Sequence, residues 1–126
     1  LLATDAFTLL IGCGWDETFS TALLQPIVRE IPNIDAVLLS HGELSHLGAL
    51  PYLVTKCGLT APVFSTGPTR RMGEMFLRES VQAKLGSGDF DIITMADIEK
   101  TFTGHPWTQL RYMQQYRITE GKLAGV

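Results

Sequence analysis

The segment DAVLLS at residues 35–40 constrains the fold of this chain more than any other stretch. Its four central residues are continuously apolar, and so short a run between turn residues is typical of a strand. A half-exposed strand alternates polar and apolar side chains, whereas a strand covered on both faces does not. The segment therefore predicts a buried parallel strand inside an α/β sheet.

Strand-like and helix-like segments alternate on both sides of this strand. The apolar run at residues 7–11 ends at Gly12, as a buried strand that enters a turn does. Further extended segments are predicted at residues 62–65, 92–93 and 109–113. Helices are predicted at residues 21–29 with Ser20 as N-cap, at 47–54 ended by Gly58, at 68–85 and at 96–102. This alternation predicts an α/β fold with right-handed crossovers.

The composition excludes several classes of protein. With 126 residues, 45% hydrophobic and 18% charged, the chain can bury one core but has too little length for two. No apolar run approaches the roughly 18 residues that a membrane-spanning helix needs. The net charge of −3 argues against autonomous, charge-driven binding to nucleic acid. Two cysteines outside a CxxC pair indicate a reducing compartment.

The polar segment at residues 41–46, here called the elbow, is the strongest candidate for a functional site. It holds His41, Glu43, Ser45 and His46 within six residues. Polar side chains at the carboxyl end of a buried strand lie where α/β folds normally build their sites. Only one other histidine is present, His105.

The elbow resembles the His-x-His-x-Asp-His motif of the metallo-β-lactamase fold. His41 and His46 match the motif, Glu43 stands in place of its middle His, and Ser45 stands in place of its Asp. The resemblance extends over residues 13–16 with 19–20, 34–41, 47–52, and 72–73 with 75–76. Together these stretches are similar to the catalytically degenerate branch of the metallo-β-lactamase/β-CASP family, that of cleavage and polyadenylation specificity factor subunit 2.

The resemblance implies that the chain is part of a four-layer α/β/β/α sandwich. Residues 1–126 would be the N-terminal portion of a metallo-β-lactamase-like domain and would supply its first sheet with the flanking helices. Because the sequence starts at Leu1 without an initiator Met, we expect a piece of a longer polypeptide. The rest of the parent protein or a neighbouring subunit is then expected to cover the exposed sheet edges and apolar faces.

The resemblance also implies a two-metal site, for which this chain lacks ligands. The family takes one ligand from an Asp at the end of the first strand, where this chain has Gly12. Two ions with a bridging hydroxide require many donor atoms, and three His and one Glu are too few. We therefore expect no zinc, no catalytic residues and no nuclease activity. The vestigial site positions are Gly12, His41, Glu43, Ser45 and His46.

Two interpretations of the elbow stay open. In the first, one zinc ion on His41, Glu43 and His46 activates a water molecule. In the second, Ser45 is the N-cap of the following helix, Glu43 is solvated, and both histidines make ordinary hydrogen bonds. We favour the second, because Gly12 and Ser45 remove ligands that serve both metal positions.

Basic side chains on the long helix at residues 68–85 form a candidate contact surface for RNA or a partner. They are either a phosphate-binding face or a simply solvated one. The residues are Arg70, Arg71, Arg78 and Lys84.

Other prominent side chains are interpreted as packing residues. Met72, Met75 and Phe76 lie at helical spacing and indicate a core or subunit contact rather than a cofactor site. Trp15 and Trp107 are interpreted as packing residues that would anchor a partner only if exposed. Cys13 has no adjacent base and is interpreted as an inert buried thiol.

The function that the resemblance implies is non-catalytic. It is that of a pseudonuclease subunit in the nucleus, acting in the assembly of the pre-mRNA 3′-end processing machinery and in RNA positioning. The implied partners are the endonuclease subunit and the scaffold subunits of the cleavage and polyadenylation specificity factor, with pre-mRNA as a further candidate, and no membrane. Two alternatives stay open: an active metal-dependent hydrolase with a reduced zinc site, and a lactamase-like binding module unrelated to RNA.

Overall fold

The protein is built on one five-stranded sheet whose strands follow each other in chain order. A computed structural model describes residues 1–126. The strands are β1 (Leu2–Ala3), β2 (Thr8–Ile11), β3 (Ala36–Leu38), β4 (Val63–Thr66) and β5 (Trp107–Leu110). Strand β1 is antiparallel to β2, and all other neighbours are parallel. The predicted α/β fold with a parallel strand inside residues 35–40 is confirmed.

Helices connect the parallel strands and cover one face of the sheet. They are α1 (Gln25–Glu30), α2 (Leu44–Leu47), α3 (Leu50–Lys56), α4 (Gly67–Gly86) and α5 (Met95–Glu99). Leu50 of α3, Leu77 of α4 and Ile98 of α5 are fully buried and share one core with Leu10 and Val37 of the sheet. No helix in residues 1–126 combines the length and the apolar character that crossing a membrane would require.

The opposite face of the sheet is covered by the end of the chain instead of by helices. Because side chains alternate along a strand, Ala36 and Phe64 point away from the helices. They form a second, smaller cluster with Leu123, and Ile118 packs against it. The Gly125 N–H donates to the Ile118 carbonyl at 2.8 Å and folds this segment back over the sheet. An apolar pocket of about 160 Å³ lies between the sheet and this C-terminal segment.

Helix α4 begins and ends close to the predicted bounds. Its N-cap is Thr66, whose hydroxyl accepts from the Thr69 N–H. The buried stripe of the helix contains Leu77 and Val81, which are one turn apart. Met72 and Met75 lie outside this stripe and are 48% and 47% exposed, so their interpretation as core residues is wrong. Phe76 is half-buried, and a subunit contact by these side chains stays a prediction.

Three extended segments differ from the sequence-based expectation. Ile92 and Ile93 lie in a bend, and Ile93 is fully buried directly before the capping box that starts α5 at Thr94. Strand β5 begins and ends earlier than predicted, because residues 111–114 form a turn in which Met113 has a positive φ of 58°. Strand β1 was not predicted, since two residues are too few to show a period.

The helices before and after the elbow also differ in detail. Ser20 makes no side-chain cap, and the segment breaks into a 3₁₀ turn, α1 and a second 3₁₀ turn. Pro26 and Pro32 sit in the first turns of the two later pieces, because proline has no N–H to continue a helix. The helix after the elbow begins at Leu44, three residues earlier than predicted, and is interrupted before α3.

Candidate functional site

The elbow lies at the edge of the sheet where the parallel strands have their carboxyl ends. It follows β3 and leads into α2, and the segment that leaves β2 runs beside it. The Cys13 N–H donates to the His46 carbonyl at 2.9 Å, and the Trp15 N–H donates to the Leu44 carbonyl at 3.0 Å. The Ala49 N–H donates back to the Cys13 carbonyl at 2.9 Å. These backbone hydrogen bonds fix the elbow against the exit of β2, as the resemblance implies for two parts of one site.

Three glycines allow the backbones around the elbow to approach closely. A Cβ on Gly14 would lie 1.7 Å from the Ser45 carbonyl oxygen, and one on Gly42 would lie 2.9 Å from the Gly73 nitrogen. A Cβ on Gly73 would lie 2.3 Å from Cδ2 of Leu47. The elbow is thus held between the turn after β2 and α4 without space for further side chains. Sequence reasoning missed these positions, and an isolated glycine inside the helical run at residue 73 was the available signal.

The two elbow histidines lie against each other. Their ring centroids are 4.3 Å apart and their planes are inclined by 35°. Nδ1 of His41 is 2.7 Å from the Ser40 hydroxyl, and Nδ1 of His46 is 3.0 Å from the Ser45 hydroxyl. Each ring therefore has one nitrogen engaged by the serine that precedes it, as the interpretation with ordinary hydrogen bonds predicts.

Glu43, and not Ser45, stands at the start of α2. Glu43 is the N-cap residue of α2, its side chain is exposed, and it makes no side-chain cap. Its carbonyl accepts from the N–H groups of His46 and Leu47 at 2.9 and 3.0 Å. Ser45 lies inside α2, so the prediction that Ser45 is the N-cap is wrong. The helix starts earlier because the backbone bonds to residues 13–15 hold its first turn in place.

The donor set of the elbow does not fit the two-metal centre that the resemblance implies. Gly12 has no side chain and takes a φ of 72°. Its neighbour Cys13 is buried, and burial raises the pKa of this thiol to about 12. No three His, Cys, Asp or Glu side chains in residues 1–126 lie close enough to hold one ion. The structure therefore does not assemble His41, Glu43 and His46 into a zinc site.

His105 lies at the other edge of the sheet. Its Nε2–H donates to the Ala61 carbonyl at 2.7 Å, beside the amino ends of β4 and β5. Because the strands are parallel, this edge is the far end from the elbow. His105 therefore adds no donor to the candidate site.

The four basic residues of α4 differ in their surroundings. The Arg70 guanidinium donates to the Phe102 carbonyl and lies 5.1 Å from the centroid of the Trp107 ring. Arg78 is 2.9 Å from the carboxylate of Glu74. Arg71 and Arg78 line one groove together with Glu74 and Glu79, whereas Lys84 lines another groove with Glu17. Arg70 and Lys84 therefore contact different neighbours from the Arg71 and Arg78 pair, and binding of RNA or a partner by these residues stays a prediction.

The packing role predicted for both tryptophans and for Cys13 agrees with their surroundings. The Trp15 indole is buried, donates to the Ser20 carbonyl at 2.9 Å and contacts the rings of Phe19 and Tyr52. The Trp107 indole is half-buried and donates to the Ser65 hydroxyl at 2.8 Å. Cys13 is 1% exposed and is one of two free cysteines.

Comparisons with known proteins agree with this geometry. The model of the metallo-beta-lactamase superfamily domain matches residues 1–126. The chain is 40% identical over its whole length to cleavage and polyadenylation specificity factor subunit 2 of Arabidopsis thaliana, and 41% identical over 95% of its length to the probable subunit 2 of Drosophila melanogaster. It is 30% identical over 91% of its length to subunit 3 of Dictyostelium discoideum.

The chain covers only a small part of these relatives. It spans 17% of the Arabidopsis protein, 16% of the Drosophila protein and 15% of the Dictyostelium protein. The match over the whole chain, the α/β architecture and the elbow at the carboxyl edge of the sheet agree with one another. On these grounds the chain belongs to the metallo-beta-lactamase superfamily.

Proposed function

We propose that the chain is part of a non-catalytic subunit of the machinery that cleaves and polyadenylates pre-mRNA in the nucleus. The observation that supports this proposal is the elbow, which keeps two histidines of the motif that it resembles but, with Gly12 and Ser45, lacks ligands that two ions would need. Higher identity to subunit 2 relatives, 40% and 41%, than to the subunit 3 relative, 30%, supports the same assignment.

The chemistry of phosphodiester cleavage supports the non-catalytic role. A two-metal nuclease orients a hydroxide between two ions and stabilises the attacking and leaving oxygens with their charge. Such ions need carboxylate and imidazole ligands that converge within about 2.0–2.3 Å of the metal. At the elbow, the two imidazoles lie against each other and the Glu43 side chain is exposed to solvent. Without the ions, the elbow lacks the positive charge that would stabilise the attacking and leaving oxygens of a phosphodiester.

Without catalysis, the remaining role is assembly of the complex and positioning of the RNA. We infer that the subunit binds the active endonuclease subunit and scaffold subunits of the cleavage and polyadenylation specificity factor. Exposed apolar side chains on α4, Met72 and Met75, support a protein contact, since such side chains are enriched where proteins associate. The assembled complex would present the carboxyl edge of this sheet to pre-mRNA without cutting it.

The proposal is tested on the full-length protein, both wild type and the His41→Ala/His46→Ala double variant. After incubation with zinc and removal of free ions, elemental analysis should give the same sub-stoichiometric metal content for both proteins. RNA cleavage should be absent from both, while the endonuclease subunit assayed in parallel provides the positive control. One or more tightly held ions in the wild type that the double variant loses would favour the active hydrolase instead.

Co-purification tests the assembly role separately. We expect the endonuclease subunit and a scaffold subunit of the same complex to co-purify with the tagged full-length protein. Failure to associate with both would contradict the proposal and favour a binding module unrelated to RNA processing.

A further inference from the structure

The turn that follows β5 combines basic and aromatic side chains. Residues 111–117, here called the basic-aromatic turn, read Arg-Tyr-Met-Gln-Gln-Tyr-Arg. No acidic residue occurs between positions 111 and 119, although the chain as a whole carries a net charge of −3. The turn is thus a local positive segment on an acidic chain.

The turn holds its aromatic rings outward in an ordered arrangement. The Arg111 N–H donates to Oε1 of Gln114 at 2.8 Å, and the Gln114 N–H donates to the Arg111 carbonyl at 3.1 Å. Between them, Tyr112 is 90% exposed and Met113 is 82% exposed. Tyr116 is 47% exposed, with its ring centroid 6.0 Å from that of Phe64. Tyr112 is therefore almost fully exposed and Tyr116 partly exposed, within five residues of each other.

The arginines of the turn are free to bind an anion. The three ion pairs of the structure involve Lys56, Arg78 and Lys122, so neither Arg111 nor Arg117 has a carboxylate within 4.0 Å. By contrast, the α4 arginines that the sequence proposed for RNA are partly occupied: Arg78 by Glu74, and Arg70 by Phe102 and Trp107.

The turn lies at the same edge of the sheet as the elbow. It leaves the carboxyl end of β5, two strands from β3, and neighbouring strands are roughly 4.8 Å apart. A strand of RNA that passes the elbow would therefore meet the turn within about 10 Å across the sheet.

We propose that the basic-aromatic turn binds single-stranded RNA, with bases stacked on Tyr112 and Tyr116 and phosphates paired with Arg111 and Arg117. Exposed aromatic faces interleaved with unpaired guanidinium groups are the elements that sequence-tolerant single-strand binding uses. The inference rests on the proposed function, because pre-mRNA is the single-stranded RNA that such a subunit would meet. It places RNA contact on a segment different from α4.

The test measures binding of a fluorescently labelled twelve-nucleotide oligouridylate to the full-length protein by anisotropy. Tyr112→Ala should weaken binding by about 5- to 150-fold, which corresponds to the ~1–3 kcal/mol of one stacked base. Tyr112→Phe keeps the ring and should stay within about twofold of wild type. Arg29→Ala, an exposed arginine on α1, is the matched charge control and should leave affinity unchanged. Arg111→Ala should reduce the slope of log affinity against log salt by about 0.7.

Two readouts separate this inference from the proposed function. Tyr112→Ala should still co-purify with the endonuclease subunit, so normal assembly with equal RNA affinity in wild type and Tyr112→Ala would overturn only the inference. Nitration of tyrosines in the RNA-free protein should modify Tyr112 readily. A protected Tyr112 would mean that another part of the protein occupies the turn, and this also would overturn the inference.

Discussion

The elbow and the backbone beneath it differ sharply in how tightly they are constrained. Beneath the elbow, Gly14, Gly42 and Gly73 leave no space for a single added carbon, and backbone hydrogen bonds join the exit of β2 to α2. On the other side, the Glu43 side chain is exposed, and the His41 and His46 rings lie against each other, each with Nδ1 beside a serine hydroxyl.

This difference separates what holds a site in place from what performs chemistry. Backbone geometry that supports a site also supports the fold, so its loss destabilises the protein whether or not a reaction takes place. Ligand side chains have no such second role when they are exposed. A site can therefore lose its donor atoms while its backbone frame persists, since fold alone does not fix function. Substitutions in each of the two regions measure how large the difference is.

The largest effect is expected from Gly14→Ala in the full-length protein. The new Cβ would lie 1.7 Å from the Ser45 carbonyl oxygen and 2.3 Å from its carbonyl carbon, so the backbone of either the turn or α2 has to move. Displacement also breaks the Trp15 N–H bond to Leu44. We expect a loss of at least about 3 kcal/mol in the free energy of unfolding, measured by denaturant titration.

Gly86→Ala is the matched control for this change. No atom lies within 4 Å of a Cβ at Gly86, which is the last residue of α4. Alanine there should be neutral or stabilising by up to about 1 kcal/mol, because glycine is a poor helix former. If Gly14→Ala were as well tolerated as Gly86→Ala, the close approach of the turn to α2 would be incorrect.

A smaller loss is expected from Gly73→Ala, since its new Cβ meets a side chain instead of backbone. This Cβ would lie 2.3 Å from Cδ2 of Leu47, and Leu47 is fully buried. Overpacking of this kind costs about 1–3 kcal/mol. Leu47→Val removes the contacting carbon, so the double variant should lose less stability than the two single variants add up to. Strict additivity in denaturant titrations would show that Gly73 and Leu47 do not touch.

The sequence predicted the elements with strong periodicity better than their ends. The run at residues 35–40 and the helix at 68–85 carry long or uniform signals, and both are found as β3 and α4. The predicted start of α2 and end of β5 were misplaced because hydrogen bonds outside these elements determine both. Backbone hydrogen bonds from the turn after β2 hold the start of α2, and the Gln114 side chain holds the turn that ends β5. Such partners are distant in the chain or depend on side-chain geometry, and periodicity carries no trace of them.

The same limit applies to the candidate site. Motif spacing located the elbow and Gly12, because residues that are neighbours in sequence are also close together in the folded protein. Sequence position alone grouped four basic residues of one helix: Arg70, Arg71, Arg78 and Lys84. Because an α-helix completes a turn in about 3.6 residues, residues that are close in sequence can point in different directions. The direction of each side chain depends on what packs beside α4, and Arg70 is drawn inward by Trp107 and Phe102, which follow more than 30 residues later in the sequence.

An intermediate loss of stability is expected from Arg70→Ala. This variant tests whether the Arg70 side chain helps to hold the fold or is simply solvated. Its guanidinium bonds the Phe102 carbonyl and lies over Trp107, so truncation should cost about 1–2 kcal/mol in the free energy of unfolding. Arg71→Ala, one residue away and exposed, is the control and should stay within about 0.5 kcal/mol of wild type. Equal losses for the two variants would place Arg70 on the solvated side of α4.

The smallest effect is expected at the elbow itself. His41→Ala removes an exposed ring whose contacts are the Ser40 hydroxyl and the His46 ring. Because solvent replaces these contacts, stability should change by no more than about 0.5 kcal/mol, and adding zinc should not raise the melting temperature of wild type above that of the variant. A metal-dependent stabilisation seen only in the wild type would mean that His41 still holds an ion, because a ligand that binds the native state selectively must stabilise it. The frame and the donors would then be coupled, and the contrast between the two regions would not hold.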